Sequence, residues 1–415
     1  MKTILIAVTG MSPQVITETL WAIHHEQGDW PAEIQLITTS KGGECALQGL
    51  LEKGHLKRLC DELGRPLPLF GTGQIHVVTG ADNMSVDDAR SREDHEALAD
   101  FIMAKVAELA SNDGVRIHAS LAGGRKTMTY YFGYAMSLFG RDHDCLTHVL
   151  VSDGYENLPD FYYPSSTQPA ILTSDGRSLM PSDAEVVLAD IPFVRLNDSL
   201  SPGMSELAST ISFRQLVLLL NLAAHPTQVR LVLEVRQQTI AIYSRDRQMP
   251  LARIRLASKP TFALLWVLVE AHQEGEHSIQ RRNLDSTGNE TPDRGMALLI
   301  VEKLYQLCEQ PLPADSAQLK VRVEALMDYA ELSDANLMRT LQTLAQGATS
   351  GWLNPQISNI RKALRKGLPG PLAALLSPVL MTVTADGRLE EASKNDLEAS
   401  YRFNLCADQF VINLH

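Results

Sequence analysis

The sequence predicts an α/β domain built on a doubly wound parallel sheet, followed by an α+β domain. The first half alternates short apolar runs with amphipathic stretches, the rhythm of βαβ units. The second half replaces that rhythm with three adjacent strand-like runs and then a series of helices. At 415 residues the chain is also too long for one ordinary core and suits two domains.

In the first half, apolar runs at Thr3–Val8, Ile34–Thr38, Ile75–Val78, Val115–Leu121 and Thr147–Val151 each read as a buried parallel strand. Helical patterns fall between them, at Pro13–His25, Cys45–Leu63, Asp88–Leu109 and Thr127–Leu138. From 152 to 212 the chain turns to Asp, Ser, Pro and Gly in irregular order, read as an edge hairpin and a linker. These divisions give a ligand-binding domain over 1–165, hairpin and linker over 166–205 and a second domain over 206–415.

The second half opens with a helix over Phe213–Ala224, then strands at Val229–Val235, Thr239–Tyr243 and Leu251–Leu256. An apolar helix at Thr261–His272 follows, with Pro260 suited to its first turn. Further helices are expected at Met296–Gln310, Leu319–Gln346 and Gln356–Lys366, and YRFNLCADQFVI reads as a terminal strand or hairpin.

Composition narrows the function. Apolar and charged residues make up 45% and 21% of the chain, the proportions of a globular protein. The longest apolar run, around Phe262–Val269, is less than half the roughly 20 residues that span a membrane. The N-terminal MKTILIAVTG reads as a buried strand and not a leader. Five cysteines, scattered and without a CxxC pair, argue against a disulfide framework or zinc ribbon, and a reducing cytoplasm fits them best. Residues 1–200 carry 15 Lys/Arg against 27 Asp/Glu, whereas 201–415 carry 22 of each. An acidic half repels nucleic acid at long range, so an anion held there needs a few local cations and backbone amides. That favours a small anionic ligand in a pocket.

Ligands of doubly wound sheets bind at the carboxyl ends of the strands. Three such ends carry small and polar residues: Thr9-Gly10-Met11-Ser12-Pro13-Gln14, Thr38-Thr39-Ser40-Lys41-Gly42-Gly43, and Ala122-Gly123-Gly124-Arg125-Lys126-Thr127. In the third, paired glycines let the backbone approach a phosphate, the helix start offers unpaired amides, and Arg125 and Lys126 supply charge. A tight turn before a solvated helix start explains the same residues when that loop is read alone. The two companion rims favour a site.

Four familiar motifs fit poorly. AGGRKT lacks the last glycine of a Walker A loop, where Arg125 stands. Gly10-Met11-Ser12 begins like a nucleophile elbow, but Gln14 occupies the second glycine's place. Gly71-Thr72-Gly73 precedes its strand, where a dinucleotide fingerprint would follow it. The 12 histidines form no H-E-x-x-H pair, and no metal or other cofactor is expected.

MSPQVITETLWAI after the first strand and SLAGGRKTMTYYFGYAMSLFG after the fourth resemble the two signature segments of the CARF family, the CRISPR-associated Rossmann-fold module, over residues 1 to about 160. The resemblance implies a homodimer that binds cyclic oligoadenylate, of four or six units, across its two-fold axis. Thr9, Gly10, Met11, Gln14, Thr39, Ser40, Lys41, Ala122, Gly123, Gly124, Arg125 and Thr127 would line the site. Some members also cut the ring without metal, and the residues they use fall by position on Ser12 and Lys126. Whether those two cleave or only bind is left open by the sequence.

Many members also carry a ribonuclease domain with an Arg-x(4–6)-His motif. The spacing occurs here at Arg90–His95, at the polar start of a first-domain helix, and nowhere in the second half. The second half instead resembles, weakly, a winged helix-turn-helix, with Arg361, Lys362, Arg365 and Lys366 placed as a DNA-contacting cluster. The neutral charge of that half stands against DNA binding, and a scaffold kept for dimerisation explains it equally well.

Overall fold

The computed structural model describes residues 1–415 apart from 81–83, 157, 198–206, 209, 276–278, 314–317, 331–333, 385, 387, 394–395, 397–398 and 415. Among the described residues the first of two compact units ends at Arg214 and the second begins at Gln215. The domain boundary expected near 205 lies outside the described residues.

The first unit is a three-layer α/β fold. Its strands are β1 (Lys2–Val8), β2 (Glu33–Thr38), β3 (Ile75–Val77), β4 (Val115–Ser120), β5 (Cys145–Val151), the short hairpin β6 (Ile171–Leu172) and β7 (Ser178–Leu179), and β8 (Val186–Asp190). The main sheet runs in the order β3-β2-β1-β4-β5-β8, parallel from β3 to β5, with β8 antiparallel at the edge. β1 is central because Ile4–Val8 is apolar without alternation and can be buried on both faces. It pairs with β2 from Ile4–Glu33 to Val8–Ile37 and with β4 from Lys2–Val115 to Ala7–Ser120.

Helices α1 (Gln14–His25), α2 (Ser40–Ala46), α3 (His55–Leu63), α4 (Arg92–Ala110) and α5 (Lys126–Phe139) connect the strands. α1 packs on β5 and β8, while α4 and α5 pack on each other and on β4 and β1. After β3 the chain crosses back to β4, beside β1, so the loops leaving β1 and β4 diverge and open a crevice at their carboxyl ends. The single helix expected over Cys45–Leu63 is corrected in two places. It begins at Ser40, continues as a π-helical stretch over Leu47–Glu52, and breaks at Gly54, whose φ of 70° ends it before α3.

The second unit holds α6 (Phe213–Ala223), whose first two residues belong to the first unit, and the meander β9 (Val229–Glu234), β10 (Thr239–Ser244), β11 (Ala252–Arg255). Its centre is α7 (Lys259–Glu274), closed by the Ser258 hydroxyl on Thr261 N and buried from Pro260 to Val269. Short strands β12 (Ile279–Gln280), β13 (Asn283–Leu284) and β14 (Glu290–Thr291) lead to α8 (Arg294–Leu307).

The helix expected over Leu319–Gln346 is two, α9 (Leu319–Ala330) and α10 (Ala335–Leu344). The Asp334 carboxylate accepts from Asn336 N and Leu337 N and so starts a new helix. The helix expected from Gln356 begins six residues earlier, as α11 (Ser350–Gly367). Pro355 lies near its start, and the burial of Trp352 and Leu353 favours the added turns. After α12 (Gly370–Leu376) come β15 (Val379–Val383), β16 (Leu389–Glu391), β17 (Ser400–Arg402) and β18 (Phe410–Asn413). YRFNLCADQFVI is therefore not a hairpin: β17 pairs with β12 and β15, and β18 runs parallel to β9 in the other sheet.

Buried titratable groups tie the first unit's stability to pH, His118 among them. His118 of β4 is buried, its Nε2 lies 2.9 Å from the Thr147 hydroxyl, and burial lowers its pKa to about 4. The unfolded chain therefore binds a proton that the folded one refuses between pH 6.5 and about 4. The His118 contribution to stability is full above that window and is lost within it, by about 3 kcal/mol. Glu18, whose pKa burial raises to about 8, contributes a slope of opposite sign, so the test is a difference. Denaturant unfolding across pH 4–7 should give wild-type and His118→Gln stabilities that diverge by this slope, and parallel curves would place the His118 contribution elsewhere.

Candidate functional site

A cavity of about 660 Å³ opens at the carboxyl ends of the strands. Gly10, Met11, Ser12 and Gln14 reach it from the end of β1, Thr39 and Lys41 from the end of β2, and Ala122, Gly123, Gly124 and Arg125 from the end of β4. The three rims named from the sequence thus meet in one place. A larger groove of about 1190 Å³ follows the opposite, amino-terminal ends of the strands. Its cations are taken: Arg116 pairs with Asp29, and Arg195 donates to the Arg141 and Asp144 carbonyls. Strand direction and free donors both favour the smaller cavity.

Close backbone approach builds the cavity's floor. A Cβ on Gly123 would stand 2.9 Å from the Val8 carbonyl oxygen, and one on Gly42 would stand 2.5 Å from the Gly10 carbonyl oxygen. Gly124, at φ 83°, turns the chain into α5. Helices α1 and α5 both start at the cavity, at Pro13 and Arg125, and neither start is closed by a side chain. Their first amides and positive dipole ends are open to an anion. Ser91, Ser258, Asp293 and Asp334 each close a helix start elsewhere, while the starts at Thr39, Gly54, Thr349 and Pro369 are also unclosed.

The cations are fewer than the sequence suggests. Arg125 lines the cavity but donates to Asp88, through Nε at 3.0 Å and through Nη2, and Asp88 also accepts from Arg90 Nε at 2.9 Å. These guanidinium bonds hold the Asp88 carboxyl below the usual carboxylate range. Lys126 opens α5, is exposed, and does not line the cavity.

Thr9, Ser40 and Thr127 support the walls. The Thr9 carbonyl accepts from the Thr38 hydroxyl at 2.8 Å, Ser40 N donates to Val86 O at 2.9 Å, and the Thr127 hydroxyl lies 3.2 Å from His95 Nδ1. The Arg90–His95 spacing is structural, since Ser91 and Asp94 form the capping box of α4 between its two ends.

Sequence reasoning missed the far wall: Glu18, His148, Val149, Leu150, Val151, Glu156, Leu158 and Pro159. Glu18 had a legible signal, because it lies four residues after Gln14 and so on the same face of α1, one turn in. Asp88 was absorbed into an expected helix that in fact starts at Arg92, and Asp87, just before it, was not singled out. In the second unit, Arg361 donates through Nε and Nη2 to the Pro378 carbonyl, at 3.1 and 2.7 Å, while Lys362, Arg365 and Lys366 are exposed. Among the described residues no three His, Cys, Asp or Glu side chains are grouped to hold a metal, and no helix is long and apolar enough to cross a membrane.

No curated protein matches the chain. Among solved structures it is similar to Enterococcus italicus Csm6 bound to cyclic hexa-2'-fluoro-hexa-dAMP, with 15% identity, coverage of 87% of this chain and 86% of that one, and a TM-score of 0.28. That likeness is too distant to carry an argument about the site. The family described as CRISPR-associated protein NE0113 matches residues 12–223, just over half of the chain and the whole span from the first loop to the end of α6. The chain belongs to this Cas_NE0113 family of CRISPR-associated proteins.

Proposed function

We propose that the cavity binds cyclic oligoadenylate and that the bound ring is cleaved without metal. The observation that carries the reading is the convergence of two unclosed helix starts, a glycine floor and Arg125 on one cavity of a domain otherwise rich in carboxylates. Such a site selects a compact anion whose phosphates can lie against backbone amides. A volume of about 660 Å³ falls in the range of single small-molecule sites. It is smaller than a ring of four or six adenylates, so the ring would lie between two copies of the chain, each holding part of it.

The reaction needs little apparatus. The ribose 2′-oxygen attacks its own 3′-phosphorus, the P–O5′ bond breaks, the 2′-hydroxyl proton passes to solvent and the leaving 5′-oxygen takes one up. The product is linear, with a 2′,3′-cyclic phosphate end. In this reading Ser12 orients the 2′-hydroxyl or a phosphate oxygen, and Lys126, at the exposed start of α5, meets the charge that builds on the equatorial oxygens. A second reading is a ligand-gated DNA binder acting through α11. It rests on exposed Lys362, Arg365 and Lys366, but loses Arg361 to Pro378.

In EDTA, wild-type protein should convert radiolabelled cyclic tetra- or hexa-adenylate to linear products. Lys126→Ala should lower the rate roughly 100-fold or more while retention of the ring persists, and Ser12→Ala should lower it less. Retention without cleavage would move the chain to the sensor class, and no retention would overturn the reading.

Asp88 supplies a further test, since its carboxylate occupies Arg125 where a phosphate would. Asp88→Asn should tighten ring binding roughly 3- to 10-fold at low salt and steepen its salt dependence. Weaker binding in that variant would show that Asp88 holds the loop and does not stand in for the ligand.

A further inference from the structure

The β5 side of the cavity carries chemistry that phosphate binding does not use. Glu18 lines it at 6% exposure, with no hydrogen bond or ion pair to any described residue. The groups that share the cavity with it are His148 on β5 and Glu156 in the segment after β5, with Lys41 after β2, Asp87 and Asp88 in the segment after β3, and Arg125 after β4. No charged residue of α3 or β8, the other elements packed on α1, lines the cavity. Gln14, one turn earlier, donates through Nε2 to the Pro159 carbonyl at 2.9 Å, which leaves its buried Oε1 without a partner. Ala122, Val149 and Leu158 supply apolar surface beside these groups.

A carboxyl buried without a cation stays protonated. Burial, reinforced by Glu156, pushes the Glu18 pKa up to about 8. At neutral pH the side chain then presents one O–H donor beside one carbonyl acceptor. On its N7 edge adenine presents the complement, a ring-nitrogen acceptor beside the 6-amino donor, which is the pattern a side-chain amide also reads. On that edge a 6-keto purine presents two acceptors, N7 and O6, which leaves the carboxyl's own acceptor unpaired, and an ionised carboxylate has no donor for the ring nitrogen.

We infer that Glu18 is the nucleobase-specifying residue of the cavity, reading adenine as a paired donor and acceptor while Gln14 Oε1 takes the remaining amino hydrogen. The inference rests on the adenylate reading above and adds to it the residue that distinguishes adenine from other bases.

The test is calorimetric binding of cyclic tetra- and hexa-adenylate, and of the inosine-substituted rings, to the full chain between pH 6 and 9.5. Wild-type affinity for the adenylate rings should hold below about pH 8 and then fall towards tenfold per pH unit, because the protonated form is the competent one. The inosine rings should bind at least tenfold more weakly at pH 7. Glu18→Gln keeps a donor and an acceptor and should retain affinity with a flat profile, whereas Glu18→Ala should lose roughly 10- to 100-fold below pH 8. Glu156→Gln, which removes the neighbouring charge, should move the wild-type midpoint to lower pH, and unfolding temperatures of all variants check that they fold. Adenylate binding with a pH profile that is flat in wild type, or that still falls in Glu18→Gln, would overturn the role of Glu18 and leave the ligand standing. Failure of every ring to bind at any pH would overturn both.

Discussion

The first unit depends on the contact between the loops that leave β1 and β4. The Val8 carbonyl and Gly123 approach so closely that a Cβ would stand 2.9 Å from the oxygen, and on the other side Gly42 meets the Gly10 carbonyl in the same way. Gly10 in turn lies against Gly124, whose Cα would be 3.7 Å from a Cβ there. Side chains at these positions would force the strand ends apart, and with them the starts of α1 and α5. The crevice produced by the strand order thus has a floor of bare backbone, which is the surface a phosphate can approach most closely.

Charge completes what the backbone begins. The first 200 residues carry 27 acidic and 15 basic side chains, so the field around the unit repels polyanions. Within the cavity Arg125 is already engaged by Asp88, and Asp88 by Arg90. An anion that displaces this carboxylate must offer better geometry than an exposed ion pair supplies, which such pairs make possible because they are worth little in water. The outcome is selectivity by shape: a phosphate seated on the amides gains Arg125, while one held at the surface does not.

Much of this was legible in the sequence, and the reasons are local. The parallel strands announced themselves as unbroken apolar runs, and the glycine-rich rims as small residues directly after them. What was missed lies in features that need three dimensions. Glu18 was hidden inside an amphipathic pattern that assigned it to a helix face and not to a cavity. Val149, Leu158 and Pro159 reach the site only because β5 lies beside β4 and the chain after it folds back. Lys126 starts α5 exposed, outside the cavity lining that its neighbour Arg125 joins, a difference that adjacency in sequence does not show. In the second unit Asp334 could have been read as a helix cap, whereas Pro355 concealed the first turns of α11 because a proline there looks like a stop.

The cavity is also where the chain leaves a buried carboxyl without a partner among the described residues. Asp144 is a carboxylate at 2% exposure, and it is fully used: it accepts from Ile117 N at 2.7 Å, from Arg141 N at 2.9 Å and from Arg141 Nε at 2.9 Å. Glu18 is nearly as buried and has none of these partners. With its pKa moved from 4.5 to about 8, keeping it protonated at pH 7 costs about 3 kcal/mol relative to the unfolded chain, a large fraction of a domain's stability. Two helix starts left unclosed at the same cavity each forgo about 1 kcal/mol more. Helix starts at Gly54, Thr349 and Pro369 are also unclosed, so what sets this crevice apart is that two such starts, the buried Glu18 carboxyl and the unpartnered Gln14 Oε1 gather around it. The cyclic oligoadenylate proposed for this cavity would bring what they call for: anionic groups for the amides of α1 and α5, and a base edge for Glu18 and Gln14.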